Sequence, residues 1–168
     1  TVQEVAEIND SALLLLNGGG LETWWAKTES NLDRVKTVTV IAAEDLIIQA
    51  DPHVWLLPPL AGQMVDKIAR GFIQADPTHA PGYTANADRL KADLTALDRD
   101  YRQGLETCAA TDIVTAHAAF GYLAAAYGLM RGIVVPLDEA IHIAETVASG
   151  DLSHDFESTR GGEFGRLL

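Results

Sequence analysis

The sequence has little cysteine and no long apolar run. Cys108 is the single cysteine among 168 residues, which excludes an internal disulfide and a cysteine-rich zinc knuckle. It follows a long helical pattern, and we expect it to be a small buried hydrophobe. No stretch approaches the roughly 18 apolar residues of a membrane span. Neither a signal peptide nor a lipidation cysteine stands at the start, so we expect a mature or trimmed product.

Positive charge is scarce as well. Lys and Arg number 12 against 24 Asp and Glu, which gives a net charge of −12 at pH 7. We therefore expect no nucleic-acid partner and no binding to anionic membranes, because both rely on clustered Lys and Arg. An acidic surface attracts cations, although acidity also serves solubility alone. The length fits one domain with a substantial core.

Short apolar segments alternate with amphipathic ones along the chain. This order predicts an α/β fold in which a parallel sheet is flanked by helices. Apolar residues every three or four positions indicate two long helices in the middle of the chain. The predicted elements are helix Val2–Ile8, strand Leu13–Leu16, helix Leu21–Asn31, strand Lys36–Ala42, helix Leu60–Gln74, helix Tyr83–Leu105, strand Asp112–Ala116, strand Gly132–Val135 and helix Asp138–Ala148.

Two histidines stand at element boundaries. His53 lies in DPHVWL, where Pro52 ends any preceding helix and Trp55 favours burial. His117 follows the predicted strand Asp112–Ala116 and stands where a helix would begin. Loops at the carboxyl ends of parallel strands face the crevice where ligands bind. The two imidazoles are therefore predicted to share one site, and such ligands suit zinc and its neighbours.

Three segments stand in register along the chain: LLLLNGGGLETW (13–24), DPHVWL (51–56) and TAHAAFGYLAAAYGL (115–129). Together they resemble the metal-binding solute-binding proteins of ABC transporters for zinc and manganese. The first is similar to the family's strand and glycine turn, and the other two are similar to the segments that supply metal-binding histidines. The resemblance implies that His53 and His117 are metal ligands. It also implies a periplasmic or cell-surface protein that hands zinc, or alternatively manganese, to an ABC permease in the membrane.

The end of the chain carries a third candidate ligand. HDFEST (154–159) resembles the family's first metal-binding loop, which would make His154 a ligand. In the family this loop precedes the glycine turn, so the order here is that of a circular permutation, and neighbouring termini make such an order tolerable. A coincidental match in a polar tail is the competing interpretation. We accordingly divide the chain into a metal-binding lobe, 1–150, and a C-terminal segment, 151–168.

The chain also departs from the family. Leu57-Pro58-Pro59 stands where the family has an Asp-Pro pair, which removes a carboxylate near the site. The second lobe, which the resemblance implies as the source of the last ligand, has no counterpart. A lone first lobe, a rearranged relative and a site completed by self-association are the three interpretations left open.

Two other functional classes compete with a binding protein. A zinc hydrolase would use an open metal position to activate water, but the sequence has no HExxH or similar pair, and we expect no enzyme. A structural remnant without metal is the other alternative. Of the remaining histidines, His79 is expected to be solvated, and His142 to be an ordinary helix residue.

Overall fold

The computed structural model describes residues 2–33, 35–113, 115 and 117–129. Within these ranges the chain forms α1 (Val2–Asp10), β1 (Leu13–Leu16), α2 (Trp25–Thr28), β2 (Val38–Ile41), α3 (Pro58–Ala75), α4 (Ala80–Leu105) and α5 (Gly121–Tyr127). Single 3-10 turns occur at Glu29–Asn31, Glu44–Leu46, Val54–Leu56, Pro77–His79 and Ala118–Phe120. The predicted strand Gly132–Val135 and helix Asp138–Ala148 lie outside the described residues.

The two strands pair in parallel. Leu13 is opposite Val38 and Leu16 is opposite Ile41. A run of leucines and a run of β-branched residues suit a sheet that is covered by helices. The parallel pair with its flanking helices confirms the predicted α/β class. For the predicted strand Asp112–Ala116, Asp112 and Thr115 occupy bridge positions, and Val114 and Ala116 are outside the described part of the chain.

Helix α3 lies directly on the sheet. It begins at Pro58, earlier than the predicted Leu60, because proline is tolerated in the first helical turn, where its missing N–H is not needed. A Cβ added at Gly71 would overlap Cγ2 of Val40 and lie 3.2 Å from Cδ1 of Leu13. Only a residue without a side chain therefore allows this close approach of helix and sheet.

Helix α4 runs beside α3 and confirms the predicted long surface helix. Lys91 Nζ lies 2.7 Å from Asp66 Oδ1 on α3, and the rings of Phe72 and Tyr83 are 5.1 Å apart. None of its residues is fully buried. No helix in the described ranges has the length and apolar character needed to cross a membrane.

Two sequence predictions need correction. The helix predicted over Leu21–Asn31 is only the short α2 followed by a 3-10 turn, because Glu22 binds the backbone of the preceding glycine turn. Cys108 is exposed instead of buried. It follows the end of α4 in an irregular segment, where its thiol donates to the carbonyl of Ala110 at 3.1 Å.

A small buried cluster lies where α3 meets the loop after β2. Ala43, Val54 and Tyr122 form its centre. The partly buried side chains that pack around it are Leu46, Ile47, Leu57, Leu60 and Met64. Val54 directly follows His53, and Tyr122 lies five positions after His117. Packing in this cluster therefore anchors both histidine-bearing segments to the core.

Candidate metal centre

The glycine turn after β1 supports the loop that carries His53. The Glu22 carboxylate accepts the backbone N–H groups of Asn17 at 2.8 Å and Gly18 at 3.0 Å. Positive φ angles from Gly18 to Gly20 allow the chain to turn back sharply. A Cβ at Gly19 would lie 3.1 Å from Cβ of Pro52, the residue before His53. The turn and the histidine loop are thus in direct contact.

Asp51 holds the imidazole of His53. Its Oδ1 accepts the backbone N–H of His53 at 3.0 Å and lies 2.6 Å from the ring Nδ1. The side chain of His53 is only 22% exposed. A carboxylate on Nδ1 favours the tautomer with its proton there, which leaves Nε2 as the nitrogen available to a metal. Carboxylate–histidine pairs of this kind orient metal ligands in many sites.

His117 comes to the same place from the other end of the described chain. Its ring centroid is 5.3 Å from that of His53, with an angle of 60° between the planes. Trp55 contacts the His53 ring from another side, also at 5.3 Å between centroids. His117 itself is exposed. The predicted proximity of the two histidines is therefore observed.

The other predicted histidines are elsewhere or outside the described residues. His79 is 70% exposed, and its Nδ1 pairs with Asp76 Oδ2 at 2.6 Å, which confirms its solvated position. His142 and His154 lie outside the described ranges. Among the residues that are described, no group of three or more His, Cys, Asp or Glu side chains is arranged to hold a metal. His53 and His117 are therefore a pair without a third such side chain arranged beside them in the described part of the chain.

A cleft of about 570 Å³ opens beside His53. Asp51 and His53 form part of its wall, together with Phe120 from the preceding 3-10 turn and Gly121 and Tyr122 from α5. The lining is mostly apolar, so the polar groups at the His53 end stand out as the positions that could fix a small ligand.

Helix α5 is tied to both neighbouring parts of the fold. The Tyr122 hydroxyl accepts the N–H of Ile48 at 2.7 Å and donates to the carbonyl of Asp51 at 2.8 Å. At the other end of α5 the Tyr127 hydroxyl donates to Asp98 on α4 at 2.8 Å.

The contact between α5 and α4 shifts two pKa values. Burial, and then the hydrogen bond to Asp98, raise the pKa of Tyr127 to about 12. The guanidinium of Arg102 lowers the pKa of the Asp98 carboxyl through a two-pronged hydrogen bond.

Sequence reasoning missed Asp51 and Tyr122. The contact of Asp51 with His53 could have been predicted, because an Asp side chain often accepts the backbone N–H two positions later. Asp51 does so with His53. Tyr122 carried no comparable signal, since its partners Ile48 and Asp51 are 74 and 71 positions away.

A family model described as zinc-uptake complex component A, periplasmic (ZnuA), matches residues 1–150. The chain belongs to this family. The ZnuA family comprises metal-binding substrate-binding components of ABC transport systems and not enzymes. The match confirms the resemblance to this family that the sequence motifs indicate. It also confirms the prediction that the chain is not an enzyme.

Curated relatives of the ZnuA family include proteins for different metals. The high-affinity zinc uptake system protein ZnuA of Bacillus subtilis is 30% identical over 151 residues, which cover 78% of this chain and 47% of that protein. The iron-binding protein YfeA of Yersinia pestis is 30% identical over 148 residues, 82% of this chain and 48% of that protein. The chain therefore spans about half the length of these relatives.

Solved structures agree with the fold. The metal-dependent lipoprotein YcdH of Bacillus subtilis superposes with a TM-score of 0.74 at 29% identity, covering 90% of this chain and 61% of that one. The Zn(II)-bound ZnuA-like domain of Streptococcus pneumoniae AdcA gives a TM-score of 0.71 at 29% identity, covering 88% and 61%.

Proposed function

We propose that the chain is an extracytoplasmic solute-binding protein that captures a transition metal, zinc in preference to manganese, for an ABC importer. The observation that carries this proposal is the pairing of His53 and His117 at 5.3 Å between ring centroids. A zinc–nitrogen bond of about 2.1 Å places the ring centroids of two histidine ligands of a tetrahedral ion about 5 Å apart. The observed spacing of the two rings agrees with this value.

The electrostatics and the supporting groups favour the same function. A net charge of −12 attracts cations. Asp51 accepts a hydrogen bond from Nδ1 of His53, which fixes the orientation of the ring and leaves Nε2 for a metal. Nitrogen-rich ligation favours zinc, whereas added carboxylates would favour manganese. The zinc-named and iron-named relatives support a transition metal as the cargo.

We propose His154 as the third ligand, supplied by the C-terminal segment 151–168. The proposal rests on the HDFEST string and on the permuted order in which it follows the lobe 1–150. Water or a carboxylate would complete a roughly tetrahedral shell. A second copy of the chain is the other source of ligands, and self-association would then accompany metal binding.

The remaining features follow from the same role. The partner would be a membrane permease that receives the metal from the outer surface of the lobe. The location would be the periplasm or the outer cell surface, in keeping with the periplasmic description of the family and the lipoprotein among the related structures.

Isothermal titration of the 168-residue chain with zinc, manganese and iron(II) tests the proposal. We expect zinc to bind the wild-type protein and the double variant His53→Ala, His117→Ala to lose this binding. His79→Ala is the matched control, because it removes an exposed imidazole that pairs with Asp76 and does not line the cleft. Equal zinc binding by the double variant and the wild type would contradict the site, and His154→Ala with unchanged affinity would contradict the third ligand.

A further inference from the structure

The loop before His53 contains a tight turn with an unfavourable backbone. Asp51 N–H donates to the carbonyl of Ile48 at 3.1 Å, and the two residues form an antiparallel bridge. The two central residues, Gln49 and Ala50, have φ angles of 54° and 59°. Such a turn normally takes Asn or Gly, because other side chains crowd the backbone at positive φ. Something outside the turn must therefore hold it in place.

The Tyr122 hydroxyl supplies that external support. It accepts the N–H of Ile48 at 2.7 Å and donates to the carbonyl of Asp51 at 2.8 Å. One oxygen thus bridges both ends of the turn. Tyr122 is 9% exposed and packs in the cluster with Ala43 and Val54, so the oxygen is fixed relative to the core.

The same contacts join the two histidine segments. The turn ends at Asp51, whose carboxylate orients the His53 ring at 2.6 Å. Tyr122 lies on α5, the helix that follows His117. A Cβ added at Gly121 would approach Asp51 Oδ2 to 2.9 Å, which shows how closely α5 abuts this carboxylate.

We propose that Tyr122 is a positioning residue for the metal centre: its hydroxyl holds the 48–51 turn, and through Asp51 it sets the orientation of His53 toward His117. This inference rests on the proposed function, since it concerns the same pair of ligands. Ile48 is exposed and Asp51 is half-buried, so water can satisfy their backbone groups when the hydroxyl is removed. Loss of the hydroxyl then changes the geometry of the site without unfolding the protein.

The test compares Tyr122→Phe with Tyr127→Phe. Both remove one hydroxyl from α5, but the Tyr127 hydroxyl bonds Asp98 on α4 instead of the histidine loop. Zinc affinity should fall about 10- to 100-fold in Tyr122→Phe, as is usual when support of a ligand is lost, and should stay within about twofold in Tyr127→Phe. The visible spectrum of the cobalt(II)-loaded protein should change only in Tyr122→Phe. Equal zinc affinity and equal cobalt spectra in the two variants would overturn the proposal.

A rescue variant tests the route through the turn. Glycine adopts positive φ without crowding, so Ala50→Gly should restore part of the zinc affinity in the Tyr122→Phe background while changing the wild type little. If Ala50→Gly restores none of the zinc affinity in the Tyr122→Phe background, the proposed action of Tyr122 through the 48–51 turn is wrong. If Tyr122→Phe alone fails to fold, as judged by near-ultraviolet circular dichroism, both tyrosine variants are compared in a Gly62→Ala background, where alanine stabilises α3 and an added Cβ meets no other atom.

Nitrogen NMR of the metal-free protein separates this proposal from the proposed function. The ring nitrogen shifts of His53 should move in Tyr122→Phe and stay unchanged in Tyr127→Phe. Failure of the wild type to bind zinc would refute the metal-binding function, and these shifts would still decide whether Tyr122 positions the ring. Unchanged His53 shifts in Tyr122→Phe would overturn the positioning role.

Discussion

The two tyrosines of α5 have different electrostatic surroundings. Tyr122 bonds only backbone groups, whereas Tyr127 donates to the carboxylate of Asp98 and stacks on Tyr101 with centroids 5.0 Å apart. An ionised Tyr127 would be partly buried and would face a negative charge. Its neutral form is therefore the one that the fold stabilises.

This difference predicts a dependence of stability on alkaline pH. The pKa of Tyr127 is raised from 10.0 to about 12 in the folded chain. The stabilisation is present in full below the unfolded value of 10.0 and is lost as the pH rises through about 12. We expect the free energy of unfolding to fall over this interval, and to fall less in Tyr127→Phe.

Urea unfolding of the wild type and of Tyr127→Phe at pH 8, about 10 and about 11.5 measures how the free energy of unfolding of each protein changes with pH. Lysine ion pairs also weaken at high pH, but they are shared by both proteins and cancel in the comparison. Parallel curves for wild type and Tyr127→Phe would show that Tyr127 does not carry the effect.

Single residues show where sequence reasoning succeeds and where it stops. His53 and His117 could be chosen because each stands at an element boundary within a segment that resembles a known family. Tyr122 could not, because its role depends on a contact that closes over more than 70 positions and leaves no local pattern. Asp51 falls between these cases, since its bond to His53 is local.

At the level of elements, the approach of α3 to the sheet depends on one missing side chain. Gly71 faces Val40 and Leu13, whereas Gly62, two and a half turns earlier and on the opposite face of the same helix, has no atom within 4 Å of an added Cβ. The two glycines share a helix and differ only in their surroundings. They form a matched pair for testing the packing.

We expect opposite signs for the two substitutions. Gly62→Ala should stabilise the protein by up to about 1 kcal/mol, because alanine favours the helix. Gly71→Ala should destabilise it by about 1–3 kcal/mol, because the added methyl group overlaps the stiff side chain of Val40 and overpacks the interface. Urea unfolding of both variants measures the two changes. A stabilising Gly71→Ala would mean that helix and sheet are less tightly packed than described.

Elements with a clear apolar period were predicted well. Helices α3 and α4 and strands β1 and β2 overlap their predicted ranges closely, since repeated apolar spacing acts locally. Both helices begin earlier than predicted, because each admits proline in its first turn. The helix over Leu21–Asn31 was predicted too long. Its first residues belong to the glycine turn, where Glu22 binds backbone N–H groups instead of facing solvent.

For the whole molecule, metal binding should appear as added stability. A ligand that binds only the folded state stabilises it by about 2.7 kcal/mol at a hundredfold excess over its dissociation constant. For a chain of this size that corresponds to a rise in melting temperature of about 5–10 °C. We expect this rise with zinc at neutral pH, as measured by differential scanning calorimetry.

Two controls define this thermal result. Acid should abolish the shift, because protonated imidazoles cannot bind a metal, and the variant His53→Ala, His117→Ala should show no shift at neutral pH. A zinc effect that persists in the double variant would place the bound metal elsewhere. No zinc effect in the wild type would favour the structural remnant over the binding protein.

The Tyr122 contact also bears on how the molecule folds. The hydroxyl joins α5 to a turn 71 positions earlier, and closing a loop of that length costs about 4 kcal/mol of chain entropy. Contacts of such long separation generally form late and slow the folding of a domain. We therefore expect the paired histidines to come together after the more local contacts of the lobe have formed, so that a bound metal would not be the nucleus on which this chain begins to fold.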